Sequence, residues 1–340
     1  MAHLFSPYKV KDLTLRNRIV LSPMCTGQAD DAGRATPWHT IHYGSRIVGG
    51  AGLIITEAVS VSPEGRTGAN DLGLFNEDQV EPFARLMASC HELGGKIGVQ
   101  LIHTGRKAHA HVGAVVGASP IPFSSEHATP EELSIEEIQR VIKDFAVAAR
   151  RAHDAGADLI ELHAAHGYIP EQFLSPLSNK RTDTYGGSFE NRFRFTREVI
   201  AAIRAELPES KPLLVRISAD EYSDEGLGIE EMIEVSGQLG KLGVDLIDVS
   251  SGGATPHAPR VFPGYQTGFA ERIRREAAIP TMAVGLLDQP ELANYVIESG
   301  AADLAAIGRG FLRNPYWGVE AAVKLGIEDY IPSSYVRAYR

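Results

Sequence analysis

Cys25 and Cys90 are the only cysteines in 340 residues. Two thiols cannot build a disulfide framework for a chain this long, nor can they hold an iron–sulfur cluster. Lys and Arg never gather into a block, and the formal charge is −10. A polyanion would be repelled, which excludes nucleic acid and an anionic membrane surface as partners. No apolar run reaches the roughly 18 uncharged residues that a membrane-crossing helix needs. The opening segment MAHLFSPYKVKDLTLRNR lacks the apolar core of a signal peptide. The HExxH zinc motif is missing, as is a separate dinucleotide-binding fingerprint. These absences point to a cytoplasmic protein that acts on a small molecule.

What remains is ordinary globular composition, 44% hydrophobic and 22% charged, arranged as a regular alternation. Apolar runs at 19–24, 52–61, 96–103, 157–163, 212–218, 245–252, 280–287 and 303–312 read as strands. Between them lie amphipathic stretches at 38–48, 78–93, 134–155, 188–207, 229–242, 269–276 and beyond 288. Ser134 and Glu137 form a capping box, Asp288 and Glu291 are candidate caps for the next helix, and the last helix is expected from Asn314 and Pro315. Cys90 shares a helical face with Phe83, Leu86, Met87 and Leu93, so it reads as inert packing. GADLIEL, GVDLIDV and GAADLAAI repeat a glycine before a strand, which marks helix-to-strand joints. Eight βα units without linker composition predict an α/β fold, a single (β/α)8 TIM barrel covering residues 1–340. A doubly wound sheet is the competing architecture.

In a barrel the reactive face lies at the C-terminal ends of the strands, where Cys25, Ala58, Gln100, His103, His163, Arg216 and Arg309 fall. The stretch 157–192 is the most unusual. Glu161, His163, His166 and Tyr168 are side chains that a plain core strand avoids, and Gly167 with Pro170 supplies a turn that lets the imidazoles converge. Neutral histidines can donate to a substrate oxygen and stabilise charge that develops there. Metal ligation, counting His109 and His111 nearby, and a satisfied core role are the alternatives. Arg216 and Gln100 interrupt apolar strands. They point either to an internal salt bridge between Arg216 and Glu161 or to groups aimed at an electron-rich heterocycle. Gly285, Gly308 and Arg309 end the last two strands, where barrels commonly bind phosphate, although GRG also serves as a plain turn.

SPMC at 22–25, HAAHGY at 163–168, FLSPLSNKRTDTYGGSFENR at 173–192 and the GRGFLRNP run together resemble the Old Yellow Enzyme family of FMN-dependent ene-reductases. The likeness is strongest to the bacterial, thermophilic-like branch with a cysteine near the flavin. It implies that Ser22, Pro23, Met24 and Cys25 line FMN and that Ala58 and Gln100 contact its ring. Arg216 would face N1 and the C2 carbonyl, with Gly285, Gly308 and Arg309 at the phosphate. It further implies that His163 and His166 bind the carbonyl oxygen of an α,β-unsaturated substrate, that hydride from flavin N5 adds at the β-carbon, and that Tyr168 protonates the α-carbon. Cys25 would tune the flavin rather than act as a nucleophile. The reductant would be NADPH or NADH, used in ping-pong fashion. The sequence departs from that branch at Gly27, where a tyrosine is usual. MetCysThrGly is similar to the dienoyl-CoA reductases, whose C-terminal cofactor domains and cluster cysteines this chain lacks. The tail, residues 327–340, resembles the segment that sends an arginine, here Arg337, into a neighbouring subunit, implying a homodimer or homotetramer. Other readings of the same resemblance are a flavin dehydrogenase or demethylase of a cyclic substrate, and a flavin-binding sensor with little turnover.

Overall fold

Branched aliphatic runs, each after the first entered from a glycine or proline joint, set the frame. They form β1 (Ile19–Leu21), β2 (Leu53–Ser60), β3 (Ile97–Ile102), β4 (Leu159–Ala164), β5 (Leu213–Ser218), β6 (Leu246–Ser250), β7 (Thr281–Ala283) and β8 (Leu304–Ile307). The computed structural model describes residues 2–109 and 113–339. Within them these strands run parallel in sequence order, and β1 pairs with both β2 and β8, which closes the ring. The predicted (β/α)8 barrel is therefore the observed fold. Every residue of all eight strands is buried, as expected when helices cover the outer face and side chains fill the inside.

The helices between the strands are α1 (Pro37–Val48), α2 (Val80–Glu92), α3 (Ile135–Asp154), α4 (Phe189–Glu206), α5 (Ile229–Lys241), α6 (Thr267–Glu276), α7 (Pro290–Glu298) and α8 (Trp317–Lys324). The Ser134 capping box is formed: Ser134 N donates to Glu137 Oε2 at 2.8 Å, and Glu137 N donates to Ser134 Oγ at 3.3 Å. Ile138, Val141, Phe145, Ala149 and Ala152 then face the sheet. Cys90 is fully buried on α2, as its spacing predicts, whereas Leu93, expected on the same face, is exposed because the helix ends at Glu92 and Leu93 is its C-cap. The cap expected at α7 is different. Gln289 occupies the cap position, and Asp288 instead pairs with Arg313 while its carbonyl receives Trp317 Nε1–H at 2.8 Å. Pro290 at the first helical position has no N–H that needs an acceptor and its fixed φ suits the first turn, and the helix starts without a side-chain cap. α8 starts at Trp317, later than Asn314 and Pro315, because Asn314 Oδ1 receives Tyr316 N–H and holds a turn ahead of it.

An antiparallel hairpin, Tyr8–Val10 with Leu13–Leu15, covers one end of the barrel. Val10, Leu13 and Leu15 pack with Val20, Leu53, Leu159, Leu214, Leu246, Met282 and Leu304, residues near the starts of the strands. The N-terminal end is thereby plugged, and only the C-terminal end stays open for chemistry. Leu15 is wholly buried, so its truncation to Ala would cost about 2–5 kcal/mol. Among the described residues no helix is long and apolar enough to cross a membrane.

Candidate functional site

The strand β4 carries Glu161 and His163 inward and ends at Ala164. His166 and Gly167 then take left-handed backbone, with φ of 57° and 71°. That reversal opens a short helix, Ile169–Leu174, with Pro170 in its first turn and Tyr168 at its cap position. The predicted convergence follows from this turn. The rings of His163 and His166 lie 5.1 Å apart between centroids, and His163 and Tyr168 lie 4.6 Å apart, both edge to face.

Their protonation states are set by burial. His163 Nδ1 accepts Ala165 N–H at 3.2 Å, which leaves the ring proton on Nε2. His166 Nε2 lies 2.8 Å from Ser250 Oγ. Desolvation pushes both imidazoles well below their usual pKa; His166 beside His163, and Arg216 and Lys107 beside both rings, add to this, so each ring is neutral. Tyr168 hydrogen-bonds with Thr67, and its hydroxyl is pushed up to about 12, first by burial and then by Cys25 and Asp71. It keeps its proton across the physiological range.

Arg216 sits opposite Asp248 in the β5–β6 register. Its Nη1 is 3.3 Å from Asp248 Oδ2 and donates to Ser22 Oγ at 3.3 Å. Of the two readings of Arg216, the internal salt bridge to Glu161 is not formed. Arg216 pairs across to β6, whereas Glu161 Oε1 receives Gln100 Nε2–H at 2.8 Å. In the ladder Arg216 stands level with His163 rather than Glu161, which is why the partner changes. Burial and the nearby Asp248 push Glu161 up to about 8, against the opposing effects of Arg216 and Gln100. Ala58 is level with Gln100 on the neighbouring strand.

The ends of β1, β7 and β8 meet beside this cluster. A cleft of about 210 Å³ is bordered by His166, Arg216, Tyr265, Gly285, Gly308 and Arg309. Gly285 has φ 126°, and a Cβ there would lie 3.1 Å from Gln266 Nε2 and 3.2 Å from the Tyr265 ring. At Gly308 a Cβ would meet Met24 Sδ at 3.3 Å. Ser22, Met24, Arg216, Gly285, Gly308 and Arg309 are thus brought together.

Pro23 follows β1 in the half-buried segment that leads to Cys25. Cys25 itself is open to solvent on one side and borders a second cleft with Trp38, Ile41 and His42. Protein atoms crowd its other sides. Desolvation pushes the thiol up to about 12, aided by the carboxylates of Asp71 and Glu57. An exposed thiol held in its neutral form is a poor nucleophile. Arg337 does not join this group. It is exposed on a 3₁₀ turn, Val336–Ala338, in a tail that packs Tyr335 against Tyr316 with ring centroids 5.6 Å apart. His111 lies outside the described residues, and among those described no three His, Cys, Asp or Glu side chains are grouped to hold a metal.

Several residues that the sequence reading passed over complete the site. Glu57, inside β2, accepts Thr26 N–H at 2.8 Å and the Thr26 hydroxyl at 2.7 Å, with His39 Nε2 3.4 Å away. It anchors the segment that carries Cys25. Lys107 donates to the carbonyls of His166 and Gly253 at 2.9 and 3.1 Å, and its ammonium lies 5.3 Å from the Tyr168 ring centroid. Ser218 Oγ receives His166 N–H at 2.9 Å. Glu57 carried the same signal as Gln100 and Arg216, a polar side chain within an apolar strand. Lys107 and Ser218 carried none, because they act on backbone distant in sequence.

Comparison with known proteins places this geometry in context. The profile of the NADH:flavin oxidoreductase / NADH oxidase family matches residues 3–328. An NADPH dehydrogenase of Geobacillus thermodenitrificans is 47% identical over 338 residues, 99% of this chain and 98% of that protein. The structure of a 2-naphthoyl-CoA reductase in complex with 2-naphthoyl-CoA superposes with TM-score 0.89 and 26% identity. That match covers 96% of this chain but 53% of the reductase, so the chain spans about half its length. The Old Yellow Enzyme homologue of Zymomonas mobilis matches with TM-score 0.83 and 26% identity over 99% of both chains.

Proposed function

Because this chain belongs to the NADH:flavin oxidoreductase / NADH oxidase family, in its Old Yellow Enzyme group, it is a flavin-dependent NAD(P)H oxidoreductase, and we propose that it reduces the C=C bond of a small α,β-unsaturated carbonyl compound. The barrel mouth fits FMN on three observations. Arg216 Nε is buried without an acceptor in the protein, a donor left for a ligand. Gly285 and Gly308 leave backbone uncovered where a Cβ would crowd the cleft. Arg309 adds an exposed cation at the same edge. Ser22, Pro23, Met24, Cys25, Ala58 and Gln100 would line the ring, Arg216 its N1 and C2 carbonyl side, and Gly285, Gly308 and Arg309 the phosphate. When bound, FMN supplies the two-electron chemistry, accepting hydride from NADPH or NADH and delivering it from N5 to the β-carbon.

The protein's own part is to bind and polarise. His163 presents an Nε2–H donor, and His166 lies beside it; as neutral donors they bind the substrate oxygen without protonating it. Tyr168, holding its proton, supplies it to the α-carbon. Arg216, with its counter-ion Asp248 fixed behind it, stabilises negative charge at the reduced ring. Cys25 tunes the ring and touches substrate as a neutral thiol. NAD(P)H and substrate share the one mouth in turn, which gives ping-pong kinetics. The convergence of His163, His166 and Tyr168 on one point carries this reading. Its test is anaerobic: NADPH should bleach the flavin, and cyclohexenone or maleimide should restore it with formation of the saturated ketone or imide. Flavin that NADPH reduces but neither acceptor reoxidises would refute the assignment.

The assembly belongs to the same proposal. Arg337, exposed in this chain, would enter the neighbouring subunit's mouth in a cytoplasmic homodimer or homotetramer. Arg337→Ala should raise the substrate KM without changing flavin content; an unchanged KM removes the role.

A further inference from the structure

Behind the turn that presents His166, two carboxyl side chains are buried together. Glu171, on the short helix, and Glu221, in the loop after β5, are 2% and 1% exposed. Glu171 Oε2 accepts Gly167 N–H at 2.5 Å and the Ser218 hydroxyl at 3.3 Å. Glu221 Oε2 accepts Leu227 N–H at 2.8 Å and the Ser175 hydroxyl at 2.9 Å. The Oε1 atom of each is buried without a donor in the protein, and the two carboxyls are near enough to act directly on one another's charge. Two carboxylates cannot hydrogen-bond unless a proton lies between them, and two bare charges in one dry site repel.

The charged groups that face the pair come from the turn Gly105–Lys107. Arg106 faces both carboxyls and Lys107 faces Glu171. Among the described residues neither is within salt-bridge distance, because Arg106 is committed to the carbonyls of Ala254 and Ile121 and Lys107 to those of His166 and Gly253. The strand β5 and the loop after β6 contribute Ser218 and the Gly252 carbonyl, and the turn after β4 contributes the neutral His166. Burial together with the neighbouring carboxyl outweighs the two cations and raises the titration of Glu171 well above the carboxylate range.

We propose that Glu171 and Glu221 share one proton between their Oε1 atoms, and that this proton fixes the left-handed turn presenting His166 to the substrate. The pair is then a positioning device, and its role rests on the function proposed above. The coupling is direct. Glu171 holds the N–H of Gly167, the residue after His166, and Ser218 bridges Glu171 to the N–H of His166 itself. Gly167 cannot relax independently, since even a Cβ there would lie 2.6 Å from the Gly253 carbonyl oxygen.

Infrared spectroscopy of the FMN-loaded protein tests the shared proton, and steady-state kinetics with cyclohexenone test the positioning. Beside the band of Glu161, which is itself protonated at neutral pH, wild type should show a further protonated-carboxyl band, absent from Glu171→Gln, that disappears at alkaline pH as KM rises. In Glu171→Gln the amide N–H stands in for the shared proton. This variant should lose the band, keep the wild-type KM at neutral pH and show no alkaline rise, and Glu221→Gln should behave alike. Glu171→Ala, which strands Gly167 N–H, should raise KM about tenfold. A wild type without the band, or a Glu171→Gln variant with the KM of Glu171→Ala, overturns the proposal. The band with no turnover of any enone would instead refute the proposed function while leaving the shared proton in place.

Discussion

Glu57→Gln isolates the anchor beneath Cys25 with the smallest possible change of shape. The carboxylate is 1% exposed and meets only donors: Thr26 N–H on Oε2, and the Thr26 hydroxyl, the Tyr43 hydroxyl at 3.3 Å and His39 Nε2 on Oε1. His39 Nδ1 accepts Thr36 N–H, so its Nε2 carries the proton and cannot accept. A glutamine can point its one oxygen to either side. With its oxygen kept on Thr26 N–H, its NH2 group faces the Thr26 and Tyr43 hydroxyls, which must turn to accept it, and leaves His39 Nε2–H, 3.4 Å away, without a negative neighbour. The loss of charge assistance on the Thr26 bonds and of the charge beside His39 amounts to about 1–3 kcal/mol. Burial alone would raise the Glu57 pKa, but the bonds from His39 and Thr26 outweigh it and leave it lowered. A lowered folded pKa means stability present above the unfolded value, 4.5, and lost as pH falls through the folded one. Urea unfolding of the FMN-loaded protein should therefore separate variant from wild type by that amount at pH 7. The two should draw together in acid, with the slope against urea unchanged. A separation under about 0.5 kcal/mol at pH 7, the usual scatter of neutral surface changes, would refute the argument that Thr26 is held by charge.

Other perturbations address the remaining parts. Tyr168→Phe should keep flavin and KM while lowering kcat for an enone about 100-fold; because the wild-type hydroxyl titrates near 12, its rate should show no step from Tyr168 between pH 6 and 9. Arg216→Met leaves the wholly buried Asp248 without its ion partner and should cost about 3–5 kcal/mol at pH 8. That cost should shrink towards pH 5, since Glu161 and Asp248 have raised folded pKa values, and stability of that kind is full at low pH and lost as pH rises through them; denaturant titration at both pH values checks it. Gly285→Ala forces a Cβ onto backbone at φ 126° and against Tyr265. It should weaken FMN retention on gel filtration at a stability cost of about 1–3 kcal/mol.

The barrel was legible because its strands are buried on both faces, so apolar runs such as LIITEAVS and LLVRIS stand out without alternation. The residues that break those runs, Gln100, His163 and Arg216, marked the mouth for the same reason. Which of them touch was not legible. A two-residue difference in ladder register put Arg216 level with His163 and Asp248, so its partner is Asp248 and not Glu161. The turn at Gly167 was readable from its glycine and proline. That His166 itself would adopt φ 57° was not, since this depends on Ser218 and Lys107 holding its N–H and carbonyl from elsewhere in the chain. The hairpin Tyr8–Val10 with Leu13–Leu15 was not legible, because three-residue strands carry too little pattern to declare themselves.

The central claim is that a flavin lies across the open end of the barrel beside an oxygen pocket made by His163 and His166. The visible spectrum of the purified protein, recorded with and without added phenol, tests it directly. The account predicts a flavin band that gains a long-wavelength charge-transfer band with phenol, and loss of only the second band in His163→Ala/His166→Ala. A colourless protein that takes up no FMN, or a double variant that sheds its flavin yet leaves the phenol response of any retained fraction intact, would contradict it.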